Sequence, residues 1–169
     1  MKAKRRIAVA TQSKKRTTKD NLALFHAGKL YDAYRFFGAH PARRGAGKGF
    51  LFRVWAPSAR AVSVVGDFNG WDPEAHPMKR ITESGAWELY LSGRKRYDTY
   101  KYAIRTADGR TLLKADPYAF HAETPPATAS KLYELGDHRW QDDRWMADRA
   151  ARSIYLSPVN IYEVHPGSW

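Results

Sequence analysis

Apolar and polar residues alternate along several short segments in the middle of the chain. Apolar residues recur at every second position in residues 50–54, 87–91 and 100–104, and turn signals such as Asp-Gly at 108–109 separate these segments. A period of two is typical of strands with one buried face. Further candidate strands are residues 62–65, 112–113 and 131–135. The pattern predicts an all-β, immunoglobulin-like β-sandwich in residues 50–136.

A different pattern precedes the predicted sandwich. Leu30, Tyr34 and Phe37 recur at helical spacing ahead of a glycine, which predicts a short helical arm that packs on an apolar surface. Residues 41–49 contain three glycines, several basic residues and no apolar period, which indicates a linker. We therefore expect residues 21–49 to form a helical arm followed by a linker.

The net charge of +12 is concentrated at the N-terminus. Residues 1–20 contain eight Lys or Arg and a single Asp, without aromatic residues or an apolar period. Such a segment buries too little apolar surface to offset its ordering entropy, so we expect a disordered basic tail. Weak, salt-dependent attraction to anionic polymers is the alternative. Specific nucleic-acid binding is not expected.

The rest of the composition excludes several classes of protein. The chain has no cysteine, so it has neither disulfides nor a thiolate metal site. The longest apolar run near the N-terminus is residues 7–10, which is too short for a signal peptide or a membrane span. A cytoplasmic protein without a membrane partner is therefore expected. The histidines are scattered singly and predict no metal site.

Five motifs stand in a fixed order along the chain. They are Phe-Arg-Val-Trp-Ala-Pro at 52–57, Gly-Asp-Phe-Asn-Gly-Trp at 66–71, Tyr-Lys-Tyr at 100–102, Lys-Ala-Asp-Pro-Tyr-Ala-Phe at 114–120 and Ile-Tyr-Glu-Val-His-Pro-Gly-Ser-Trp at 161–169. Together they resemble the N-terminal module of bacterial glycogen branching enzymes, which belongs to carbohydrate-binding module family 48. The last motif resembles the first barrel strand of those enzymes, which are members of the α-amylase superfamily.

The glycine-rich loop suits a sugar ligand. An indole can cover the apolar C–H face of a pyranose, while amide and amine groups bond the hydroxyls. We therefore predict that Trp71, Asn69 and Lys101 bind α-glucan such as glycogen or maltooligosaccharides. The resemblance implies this role for Trp71 and Lys101. The alternative is that Trp71 packs against the protein.

The predicted glucan site departs from that of the glycogen-binding relatives. They carry a second Trp just after the Asp-Gly turn, where this chain has Arg110 and Thr111, and an Asn at a position that corresponds to Ser130. For Trp55 and Trp87, which lie in predicted strands, packing in the core or at an interface is the expected role.

The C-terminal region resembles the entry into a catalytic domain. We expect residues 137–159 to be an inter-domain linker and residues 160–169 to be the truncated first strand of a (β/α)8 barrel. Trp140, Trp145 and Tyr162 are the candidates for docking against the missing catalytic barrel, which would be a partner in the same polypeptide.

No catalytic residue is expected in this chain. The resemblance implies a parent enzyme that cleaves an α-1,4 linkage through a covalent intermediate and transfers the chain to a 6-hydroxyl, without metal or organic cofactor. Retaining chemistry needs two carboxyl groups roughly 5 Å apart, and in the family these lie on later barrel strands. Glu163 and His165 share a strand face but lack a third ligand for a metal. The fragment alone is therefore expected to be inactive.

Three classes of function remain open at this stage. The chain could be a docking domain of the enzyme, an autonomous glycan-binding module, or a regulatory interaction module. The loop at 66–71 is also shared with debranching-type relatives, whose N-terminal part is a further alternative.

Overall fold

The computed structural model describes residues 16–136 and 138–168. Residues 1–15 of the predicted basic tail lie outside the described residues. The chain divides into two compact units, one up to Glu134 and one from Leu135 onward, and each is described by itself. Among the described residues, no helix is long and apolar enough to cross a membrane.

The first unit contains nine strands and one α-helix in its described residues. The strands are β1 (Gly38–Arg44), β2 (Gly47–Trp55), β3 (Ala61–Val65), β4 (Lys79–Arg80), β5 (Ala86–Ser92), β6 (Thr99–Arg105), β7 (Thr111–Lys114), β8 (His121–Ala122) and β9 (Ser130–Lys131). The helix α1 spans Thr18–His26, and single 3-10 turns occupy Ala33–Arg35 and Asp67–Asn69.

The strands form two antiparallel sheets. One sheet has the order β1-β2-β5-β4, and the other has the order β3-β6-β9-β8, with β7 also paired to β6. The inward-facing residues of both sheets contribute to one core, whose largest members are Phe50, Phe52, Met78, Trp87, Leu91, Tyr100, Tyr102 and Leu132. Each fully buried apolar side chain of this size contributes about 1.5–3 kcal/mol. The predicted all-β sandwich is confirmed, and the period of two places its core.

Residues 41–49 form a hairpin where the sequence predicted a linker. β1 pairs with β2 along its whole length, and Gly45, with a φ of +58°, lies in the turn. The strand pattern is weak because β1 is an edge strand that exposes polar residues and tolerates Pro41. The sandwich therefore begins at Gly38 rather than at residue 50.

The predicted helical arm is also shorter than expected. The helix α1 begins within the predicted tail, because Thr17 and Asp20 form a capping box at its start. Gly28 follows the helix in a left-handed conformation, with a φ of +68°, and residues 29–37 contain a 3-10 turn in place of a further α-helix. The apolar residues of this region pack in a second cluster, which contains Leu22, Leu30, Phe36, Phe37 and Ala86.

The buried residue Asp116 is hydrogen-bonded to strands β6 and β9 of the second sheet. Asp116 accepts hydrogen bonds from the hydroxyls of Tyr100 (2.7 Å) and Tyr102 (3.1 Å) and from the backbone N–H of Tyr118 (2.8 Å). Its own N–H donates to the hydroxyl of Ser130 (2.9 Å). Burial raises the pKa of Asp116, and the hydrogen bonds, that from Tyr100 foremost, oppose the increase. The motif at 114–120 therefore has a structural role.

The second unit is less regular than the first. The helix α2 spans Asp143–Ala151 and a 3-10 turn follows at Ile154–Leu156, in a region that the sequence predicted as a linker. Residues 160–168 form no strand in the described part of this unit. A strand requires a neighbouring strand for its hydrogen bonds, and residues 160–168 pair with none among the described residues. That this segment is a barrel strand stays a prediction.

Candidate functional site

The loop that follows β3 is shaped by a single asparagine. Asn69 accepts a hydrogen bond from the N–H of Gly66 (2.9 Å) and donates to the carbonyl of Val64 (3.0 Å) and to Nδ1 of His76 (2.8 Å). Both amide hydrogens of Asn69 therefore have acceptors inside the module. Asn69 therefore holds the loop in place, and its predicted direct contact with sugar stays a prediction.

Trp71 lies at the end of this loop in an unusual backbone conformation. Its φ is +61°, in the left-handed region that bulky residues rarely adopt. Its backbone N–H donates to the carbonyl of Gly66 (3.0 Å), and its indole Nε1 donates to Oδ1 of Asp67 (2.8 Å). The side chain remains half-buried. An outlier of this kind, held by two hydrogen bonds, indicates a ring that is fixed in position before any ligand arrives.

Asp67 connects the Trp71 loop to strand β6. Its second carboxylate oxygen accepts from the hydroxyl of Thr99, the first residue of β6. Both hydrogen bonds lower the pKa of Asp67, and the one from Thr99 has the larger effect. An ionised carboxylate that accepts from both partners makes charge-assisted hydrogen bonds, which are stronger than neutral ones.

Lys101 lies beside the start of the same loop. It pairs in register with Val65, which directly precedes the loop, and it shares a strand face with Thr99. Its Nζ donates to the hydroxyl of Thr128 (2.7 Å), and its side chain is half-buried. Its neighbours on β6, Tyr100 and Tyr102, point into the core as the alternation predicted. The structure therefore brings Trp71 and Lys101 to one region of the module.

A cavity that neither Trp71 nor Lys101 lines opens beside Asp67. It has a volume of about 500 Å³ and is lined by Asp67, Phe68, Gly93, Arg94, Lys95, Tyr97, Asp98 and Thr99. Tyr97 is 52% exposed and has a φ of +73°. Sequence reasoning missed Tyr97, Asp67 and Thr99. The available signals were an aromatic in the connection before β6, a carboxylate within the 66–71 motif and a hydroxyl two residues before Lys101.

The remaining tryptophans of the first unit are structural. Trp87 is buried and donates its indole N–H to the carbonyl of Ala56 (3.0 Å). Trp55 donates to the carbonyl of Ser84 (2.8 Å), and its ring meets Phe25 of α1 edge-on at 5.4 Å between centroids. The packing roles that the sequence predicted for both residues agree with these contacts.

The three docking candidates are exposed within the second unit. Trp140 is 73% exposed and contacts the ring of His138, whereas Trp145 is 60% exposed and lies under the guanidinium of Arg149. Tyr162 is 75% exposed. Their predicted docking against a catalytic barrel stays a prediction. In residues 16–136 and 138–168, no three His, Asp or Glu side chains are grouped to hold a metal ion.

Asp67→Asn is expected to release the indole of Trp71. Asn is neutral and offers one acceptor oxygen where the carboxylate offers two, so the hydrogen bonds from Trp71 and Thr99 both lose the charge that strengthens them. We expect the indole N–H of Trp71 to exchange with solvent about fivefold faster, as measured by NMR. Asp108→Asn, which changes an exposed carboxylate in another loop, should leave the exchange rate unchanged; equal rates in wild type and Asp67→Asn would contradict the assignment.

The same substitution has a defined pH dependence. Because the pKa of Asp67 is lower in the native state than in the unfolded state, its contribution to stability is present above the ordinary Asp pKa of about 4 and is lost as the pH falls through the native value. The difference in melting temperature between wild type and Asp67→Asn should therefore shrink from neutral pH to about pH 2.5. A constant difference would contradict the stabilising role of the ionised carboxylate.

The sandwich has relatives among known proteins. Residues 36–119 match the family model described as carbohydrate-binding module 48 (isoamylase N-terminal domain), so this part of the chain is a member of that family. The resemblance that the motifs predicted is thereby confirmed at the level of the module.

Most of the chain is similar to the N-terminal region of 1,4-alpha-glucan branching enzymes. It is 47% identical over 145 residues to the enzyme of Bacillus mycoides, which covers 86% of this chain and 22% of the relative. It is 50% identical over 147 residues to the enzyme of Rhodospirillum rubrum, which covers 86% of this chain and 20% of the relative. The chain thus spans about a fifth of the length of these curated relatives.

Klebsiella pneumoniae pullulanase complexed with maltotriose is one of the solved structures that this chain matches. The two proteins are 30% identical, and the match covers 60% of this chain and 10% of the pullulanase, with a TM-score of 0.47. This score is too low for residues of the two proteins to be equated.

Proposed function

We propose that this chain is the N-terminal part of a glycogen branching enzyme and that its sandwich binds α-glucan through Trp71 and Lys101. The observation that carries the proposal is the indole of Trp71, which Asp67 holds beside β6 in a left-handed backbone conformation. Strain of this kind persists where the surrounding structure fixes it, and it is common at ligand sites.

The chemistry of the site fits a neutral sugar chain. The apolar face of a glucose unit can stack on the Trp71 indole, while the Lys101 ammonium and the Thr99 and Thr128 hydroxyls offer donors and acceptors to the sugar hydroxyls. Lys101 already donates to Thr128, so its ammonium is oriented and retains further hydrogens for a ligand. Two of its three N–H groups are available by this count.

The activity of the whole enzyme is also a proposal. It rests on the similarity to branching enzymes, and it assigns cleavage of an α-1,4 linkage and formation of an α-1,6 branch to a barrel that would follow this chain. Trp140, Trp145 and Tyr162 would dock on that barrel. The sandwich would hold long glucan chains close to the active site and so raise their local concentration.

A scaffold without sugar affinity is the second candidate. The family resemblance implies two further glucan-contacting positions, and both carry other residues in this chain. Arg110 is exposed and paired with Asp108 at 2.7 Å. Ser130 is buried and accepts a hydrogen bond from Asp116, so it faces the core rather than a ligand. Any affinity therefore depends on the Trp71 side of the module.

Electrophoresis in a glycogen-containing gel separates these candidates. We expect the chain to be retarded by glycogen and Trp71→Ala to migrate as it does without glycogen, with an unchanged circular dichroism spectrum. Trp140→Ala is the matched control, because it removes an exposed indole from the second unit. Retardation that survives in Trp71→Ala would refute binding through Trp71, and absence of retardation in the wild type would favour the scaffold.

A further inference from the structure

A second cavity of the first unit is strongly basic. It has a volume of about 570 Å³, within the range of small-molecule sites, and lies on the β1–β2 hairpin. The charged residues of its lining are Arg43, Lys48, Arg94, Lys95, Arg96 and Glu134. Five of these residues are cations and one is an acid, so the cavity has a marked excess of positive charge.

Two of these cations face each other directly across the β1–β2 hairpin. Arg43 of β1 and Lys48 of β2 are direct cross-strand partners in the hairpin register. Like charges in directly opposite positions repel and destabilise a sheet. Among the described residues, neither side chain has an ion pair with a carboxylate. The hairpin thus presents two uncompensated cations on adjacent strands, where an anion could bridge them.

A turn brings two further cations to the same cavity. The N–H of Gly93 donates to the carbonyl of Lys48 (3.0 Å), which fastens the β5–β6 connection to the hairpin. Arg94 is held in this connection by Asp98 at 3.8 Å and by the ring of Phe68, 4.6 Å from its guanidinium. The backbone N–H of Lys95 donates to Asp98 as well (3.1 Å). The cations therefore lie on a fixed frame rather than on a mobile tail.

We propose that this cavity binds the phosphate group of a sugar phosphate. Guanidinium and ammonium groups that converge from two elements are the usual partners of phosphate oxygens, and Phe50 and Pro41 supply an apolar wall for the carbon skeleton. The basic cavity shares Arg94 and Lys95 with the cavity beside Asp67. The phosphate site itself is independent of the proposed binding through Trp71.

Isothermal titration of the full chain with glucose 6-phosphate, inorganic phosphate and maltoheptaose, at one constant ionic strength, tests this proposal. We expect saturable binding of glucose 6-phosphate at one site per chain. The double variant Arg43→Gln/Lys48→Gln should weaken it on the order of tenfold, because two charge-assisted contacts are lost. This variant should fold at least as stably as the wild type, since it relieves the repulsion of the like-charged pair.

The double variant Arg60→Gln/Lys79→Gln is the control, because it removes the same charge from exposed positions outside the cavity. It should leave the affinity for glucose 6-phosphate unchanged. Tighter binding of glucose 6-phosphate than of inorganic phosphate would support a sugar phosphate as the ligand, and equal binding of both would support free phosphate at the same site. Absence of saturable binding, or equal losses in the two double variants, would overturn the proposal. Binding of neutral maltoheptaose tests Trp71 separately and should be the same in both double variants.

Discussion

Asp116→Ala is expected to lower the free energy of unfolding by roughly 2–6 kcal/mol, the largest stability effect that we expect of any single substitution here. The hydroxyls of Tyr100 and Tyr102 would both lose their acceptor while they stay buried, and each unsatisfied group costs about 1–3 kcal/mol. Urea denaturation gives the value from the shift in midpoint, provided that the slope of the transition is unchanged.

Two variants control this experiment. Asp108→Ala removes an exposed carboxylate and should change the free energy of unfolding by about 0.5 kcal/mol or less. Tyr100→Phe/Tyr102→Phe/Asp116→Ala removes the stranded hydroxyls as well and should recover part of the stability lost in Asp116→Ala. A loss in Asp116→Ala as small as that in Asp108→Ala would show that the buried network contributes little.

Gly66→Ala is expected to damage both the fold and the glucan site. A Cβ at residue 66 would lie 2.1 Å from the carbonyl oxygen of Thr99 and 2.7 Å from the ring of Phe68. Because the first contact is with backbone, the loop must move away from β6. We expect a loss of about 1–3 kcal/mol, the usual cost of overpacking, and loss of retardation by glycogen, although no side chain that contacts sugar is changed.

Gly47→Ala is the matched control for this substitution. A Cβ at residue 47 would make only an ordinary contact, 3.4 Å from the carbonyl oxygen of Arg44. Its stability and its migration in glycogen should therefore match the wild type. If Gly66→Ala were retarded as strongly as Gly47→Ala, the position of the loop against β6 would not matter for binding.

The sandwich could be predicted because its core obeys a simple period. Residues 50–54 and 100–104 alternate clearly, since each segment lies in a strand with one face in the core. The first segment pairs with β5 and the second with β3. The same rule failed for residues 41–49, because β1 is an edge strand that buries only a few residues at its start. An edge strand with little burial carries little periodic signal.

The candidate site was only partly visible in the sequence. Trp71 and Lys101 could be named from their motifs. The strand register pairs Lys101 with Val65, which directly precedes the loop that carries Trp71. The hydrogen bond between Asp67 and Thr99 joins residues 32 positions apart, which no local pattern can indicate. The hydrogen bonds by which Asn69 holds the loop were not visible for a related reason, since its partners, among them His76, are set by the folded loop.

The basic cavity illustrates the same limit. Arg43 and Lys48 read as ordinary charges of a linker, because their alignment depends on the register of the hairpin. Arg94 and Lys95 come from a connection more than 40 residues further along the chain and reach the cavity through the pairing of β2 with β5 and the hydrogen bond between Gly93 and Lys48. Charge counting alone placed the basic character of the protein in its N-terminal residues.

The central claim is that Trp71 makes the sandwich a glucan-binding module. Isothermal titration of the chain with maltoheptaose, in wild type and in Trp71→Ala, measures it most directly. Saturable heat in the wild type that disappears in Trp71→Ala is the predicted result, with the Trp140→Ala control indistinguishable from the wild type. Equal binding in wild type and Trp71→Ala, or no heat in either, would contradict it.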